Sequence, residues 1–68
     1  MLQEYDIVCL KRTVSSIPLP PATKGTVLIV YPSNPPAYEV EFVDVTGKSL
    51  GTYTVEEDNL ERGIRAKP

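Results

Sequence analysis

The chain has 68 residues, a single cysteine, no histidine, no tryptophan and a net charge of −2. That length suits one domain spanning 1–68, which would bury only roughly 60 % of the surface of its unfolded form. An intramolecular disulfide and an ordinary zinc site are both excluded.

The first predicted strand covers 5–11, with Val8 and Leu10 facing the core and Tyr5, Ile7 and Cys9 on the other side. Residues 12–24 form a long loop. Pro18, Pro20 and Pro21 cannot sit in a central strand, and Ile17 and Leu19 are expected to tuck beneath it. The PxxP spacing at 18–21 is explained by a stiff loop, which lowers unfolded-state entropy. Gly25 opens a second strand whose residues 26–31 are β-rich and apolar. Strict alternation puts Val27, Ile29 and Tyr31 on the core side and Leu28 and Val30 on the outer side. The proline-rich bend 32–37 is too long for a two-residue hairpin turn.

The third strand, 38–43, carries the clearest period-two pattern, Tyr38, Val40 and Phe42 inside and Glu39 and Glu41 outside. Asp44 and Gly47 suit the ends of a type I turn. A fourth strand follows over 48–55, with Gly51 marking a bulge or bend. Thr54 and Glu57 fit a capping box, predicting one 3₁₀ or helical turn across 56–60 with Leu60 inward. Residues 61–66, containing Gly63 and Ile64, supply a short closing strand, and Lys67-Pro68 is expected to fray. Five short strands favour an all-β, five-stranded closed barrel, because closure removes exposed edges. Net stability is expected to be modest, roughly 3–10 kcal/mol.

This order resembles the SH3-like barrel, with its long first loop and a 3₁₀ turn before the last strand. The segments Tyr5-Asp6-Ile7-Val8 with Leu10, Lys24-Gly25-Thr26-Val27, Tyr38 to Asp44, Gly47-Lys48 and Asp58-Asn59-Leu60 are similar to a bacterial family of short stand-alone domains of unknown function. The resemblance spans nearly the whole chain and implies a fold without a defined activity. Because such domains are often encoded beside small toxin-like proteins, it also implies an antitoxin or immunity role. The tyrosine-rich motif of peptide-binding SH3 domains is absent. Tyr5, Tyr31, Tyr38 and Tyr53 would make a poorer groove for proline-rich peptides.

Catalytic chemistry finds little support. Cys9 has no histidine to activate it and reads as an apolar filler. Glu39 and Glu41 share a strand face roughly 7 Å apart, without a pocket to separate their pKa values. Glu56, Glu57, Asp58 and Glu61 do not have EF-hand spacing. No enzyme activity, cofactor or metal is expected. Lys24-Gly25-Thr26-Val27 resembles the glycine turn of KOW-type nucleic-acid barrels. The basic residues, however, are scattered over Lys11, Arg12, Lys24, Lys48, Arg62, Arg65 and Lys67, and the chain is acidic.

The residues favour a protein-interaction module, and the family resemblance implies that it serves as an antitoxin-like, immunity-type or accessory subunit. Its expected partner-facing residues are Leu28, Val30, Glu39, Glu41 and Asp44, an apolar patch beside an acidic stripe that would steer a basic partner. A homodimer is a further option. The alternative functions are a KOW-like nucleic-acid-binding barrel or a small subunit of a larger redox or ribosomal assembly. The lone cysteine, the absence of a cationic leader and the longest apolar run, 27–31, point to a cytoplasmic setting without a membrane span.

Overall fold

The computed structural model describes residues 1–63. Its strands are β1 Ile7–Leu10, β2 Lys24–Tyr31, β3 Ala37–Val43, β4 Ser49–Glu56 and β5 Leu60–Arg62, with a 3₁₀ turn, Glu57–Asn59, before β5. All pair antiparallel in one sheet of order β4-β3-β2-β1-β5. The sheet is not closed into a barrel. Among the described residues no ladder joins β4 to β5, so the expected closure is replaced by an open sheet with two edges.

One face of the sheet carries the core. Val8, Leu10, Val27, Tyr38, Val40, Phe42, Val55 and Leu60 come from the strands, joined by Leu2 and Ile17 from the connections. Each such side chain removed from water contributes about 1.5–3 kcal/mol before entropy is counted. Ile17 and Leu19 do fold under the long loop. Leu2, for which no core role was expected, is fixed by its backbone N–H donating to the Tyr38 hydroxyl at 3.1 Å.

β1 begins at Ile7 rather than Tyr5, because Gln3–Asp6 closes a turn. The Asp6 N–H donates to the Gln3 carbonyl at 3.1 Å, and the Asp6 carboxylate accepts from the Gln3 N–H at 2.9 Å. Within β1, Val8 and Leu10 face the core as expected.

The larger correction lies in β2. Val27 pairs with Val40, but the next matched pair is Ile29 with Glu39, so Leu28 is an extra residue without a partner in the ladder. One inserted residue flips every later side chain to the opposite face. Val30 therefore pairs with core Tyr38 and packs against the core, whereas Ile29 and Tyr31 face outward, 46 % and 38 % exposed.

Gly25 is buried opposite Phe42 and does not have positive φ. A Cβ there would lie 2.7 Å from Val40 Cγ1 and 2.9 Å from both the Glu41 carbonyl oxygen and Phe42 Cδ1. Close approach of two strands, not turn geometry, is what requires glycine. Gly51 has φ +123 where the β3–β4 register shifts, which is the bulge the sequence predicts. Beyond it Tyr53 packs on Phe42, ring centroids 6.3 Å apart.

The predicted capping box does not form. β4 continues through Glu56, which is the N-cap and makes no side-chain capping bond. Thr54 lies in the ladder and donates its hydroxyl to Glu39 Oε1 at 2.7 Å instead. The Glu57 carboxylate accepts from the buried Tyr38 hydroxyl. Arg12 holds the turn from outside, donating to the Asp58 carbonyl and, at 2.8 Å, to Asn59 Oδ1. β5 is three residues long and starts at Leu60. The remainder of the closing strand expected over 61–66, from Ile64 on, and the frayed end at Lys67-Pro68 lie outside the described residues.

Candidate interaction surface

The outer face of β2, β3 and β4 is built by cross-strand pairing. Thr26, Glu41 and Thr52 form one row, Ile29, Glu39 and Thr54 the next, and Tyr31, Ala37 and Glu56 the last. Directly opposed side chains on one face sit about 4.5–5.5 Å apart at Cβ. Three carboxylates, Glu39, Glu41 and Glu56, therefore share a face with two exposed apolar residues. Glu39 is held in place, since its Oε1 accepts from Thr54 Oγ1 at 2.7 Å and from the Tyr31 hydroxyl at 3.3 Å. Desolvation, then the charge of Glu39 and the hydrogen bond to it, raise the Tyr31 pKa and keep that phenol a donor. Among the described residues the ion pair is elsewhere, Arg62 with Asp6 at 2.9 Å. Among the described residues none of these three carboxylates is in an ion pair; the lysine on this face, Lys24, stands exposed two residues before Thr26.

The five residues expected to meet a partner are divided by the fold. Glu39 and Glu41 lie side by side on the outer face, both half-buried. Leu28 is the half-buried bulge residue. Val30 is on the core side, where it lines a cleft of about 590 Å³ with Met1, Leu2, Gln3, Glu4 and Tyr5. Asp44 is occupied within its own turn. Its Oδ1 accepts from the Thr46 N–H at 2.8 Å, the Thr46 hydroxyl at 2.6 Å and the Lys48 N–H at 3.0 Å. The Thr46 hydroxyl first, then these amides, hold the Asp44 carboxyl below the usual carboxylate range. Asp44 thus locks its own turn while keeping its negative charge, one residue past the end of β3.

Ile29, Val30 and Tyr31 are the β2 residues that sequence reasoning placed on the wrong face. In a run apolar at every position, no alternation exists to betray a one-residue slip. A second surface also went unnoticed, an apolar groove of about 720 Å³ between Pro20, Pro21 and Ala22 on one side and Val43, Val45 and Leu50 on the other. Its sequence signal was Val45, an apolar residue in a turn, which stands fully exposed.

Cys9 is a half-buried strand residue, in register with Lys24 on one side and Glu61 on the other. Among the described residues no three His, Cys, Asp or Glu side chains gather to hold a metal ion. Two of the scattered cations are engaged in the fold, Arg12 with the 3₁₀ turn and Arg62 with Asp6. Arg65 and Lys67 lie outside the described residues. No helix among the described residues is long and apolar enough to cross a membrane.

No curated protein and no solved structure matches the chain. One family model does, described as a domain of unknown function (DUF4926), over residues 4–62, which run from the Gln3–Asp6 turn through β5. The chain belongs to that DUF4926 family.

Proposed function

We propose that the protein is a non-catalytic protein-binding module whose acidic outer face captures a basic partner. The observation that carries this is the gathering of Glu39, Glu41 and Glu56 beside exposed Ile29 and Tyr31, with none of the three carboxylates in an ion pair among the described residues. Charge on such a face speeds encounter and selects sign, while the apolar residues supply desolvated contact area. The strand order, the long first connection and the 3₁₀ turn before β5 support an SH3-like kinship for the fold. The bacterial family resemblance supports work as an antitoxin-like, immunity-type or accessory subunit, and the lone cysteine supports a cytoplasmic one.

The test is charge reversal. Glu39→Lys combined with Glu41→Lys should abolish recovery of the partner from lysate of the native organism. The variant should keep the wild-type circular dichroism spectrum, and raising salt should weaken wild-type capture progressively. Capture that is unchanged by the double reversal would sink the proposal.

A further inference from the structure

We propose that the edge of β4 over Thr52–Glu56, which no second strand of the described residues pairs, takes up an extended segment of the partner protein in which lysines or arginines alternate with apolar residues. This deepens the acidic-face reading and rests on it.

β4 is the long edge of the sheet, eight residues against three in β5. An edge strand presents a row of unpaired N–H and C=O groups, and proteins ordinarily guard such rows with lysine, proline or bulges. Ser49–Glu56 contains neither lysine nor proline. Its bulge disturbs only the first half, while residues 52–56 pair regularly with β3 from Thr52–Glu41 to Glu56–Ala37. Among residues 52–56 the one charged residue is Glu56 at the end, so the part of the edge without lysine, proline or bulge is also the part that borders the acidic face.

Pairing geometry dictates the occupant's pattern. Every second side chain of an added strand would stand on the outer face, beside Thr52, Thr54 and Glu56. The others would stand on the side of Tyr53 and Val55, which is apolar. Two strand spacings, roughly 10 Å, separate an added strand from β3. A lysine or arginine lying across the short Thr52 or Thr54 spans that gap to meet the carboxylate of Glu41 or Glu39. The Thr54–Glu39 bond already ties the Glu39 carboxylate to the edge strand. A second copy of β4 would bring only hydroxyls and another Glu56 to this face, so charge favours a basic occupant.

The probe is a short acetylated peptide of alternating lysine and valine, long enough to span Thr52–Glu56. Its control has the same sequence with alternate backbone nitrogens methylated, which keeps the charge and removes strand pairing. The parent peptide should slow amide hydrogen exchange within 52–56. The methylated one should bind about tenfold or more weakly, through the loss of several backbone hydrogen bonds. Glu39→Gln with Glu41→Gln should weaken the parent peptide and flatten its salt dependence. Equal binding of the two peptides overturns edge addition but leaves the acidic-face reading standing, whereas capture insensitive to charge reversal defeats that reading itself. Exchange in β4 that slows with protein concentration alone would make the occupant a second copy and would also overturn the proposal.

Discussion

β2 and β3 lie side by side and share most of their ladder, yet they divide inside from outside differently. β3 alternates without a break, Tyr38, Val40 and Phe42 fully buried and Glu39 and Glu41 facing out. β2 alternates as far as Val27, inserts Leu28, and resumes on the opposite face. A strand with charges at every second position has one register that keeps them wet. A strand apolar throughout is free to slip, and here the slip moves Ile29 and Tyr31 beside the carboxylates of β3. The regular strand holds the fold, and the irregular one supplies the apolar half of the surface.

The comparison is most severely tested in the core of β3. Phe42→Ala should cost about 3–5 kcal/mol, comparable to the whole stability of a small domain, and urea melts should show it largely unfolded. Gly25→Ala tests the close approach of β2 to β3. With Val40, the Glu41 backbone and Phe42 in the way, overpacking should cost about 1–3 kcal/mol by the same melts.

Tyr38→Phe follows, at about 1–2 kcal/mol, because it unties the Leu2 N–H and Glu57 from the core. Burial foremost, then the bond to Glu57, raises the Tyr38 pKa above 10.0. The folded chain therefore keeps the phenol protonated where the unfolded chain ionises it. That stabilisation is complete below about pH 10 and is lost as pH rises through the higher folded-state value. A stability profile into alkaline pH should carry this slope in the wild type and lack it in Tyr38→Phe.

The smallest effects sharpen the face change itself. Val30→Thr buries a hydroxyl against the core and should cost about 1 kcal/mol, while Ile29→Thr should stay within about 0.5 kcal/mol. Uninterrupted alternation through β2 would predict the reverse order.

Much of the sheet was legible because its signals were redundant. Glu39 and Glu41 fix the face of β3, Gly51 marks the β4 bulge, and Asp44 with Gly47 marks the turn. What escaped were choices made by tertiary contact. Leu28 carries no mark of a bulge. Thr54 had two acceptable partners, a helix end and Glu39, and the continuing strand decided for Glu39. The role of Asp44 within its turn was clear, and what the sequence did not show is that Oδ1 alone takes the bonds from Thr46 and Lys48. Closure failed as an inference because strand number alone does not set whether the outer strands meet.

The account's central claim is that the face shared by Ile29, Tyr31, Glu39, Glu41 and the β4 edge is where a partner binds. An amide chemical-shift titration of the protein with the alternating lysine–valine peptide addresses it most directly. Shifts should concentrate in residues 29–31, 39–41 and 52–56 and vanish with the double charge reversal. Shifts concentrated instead around Pro20–Thr23, Val45 and Leu50, or persisting after reversal, would contradict it.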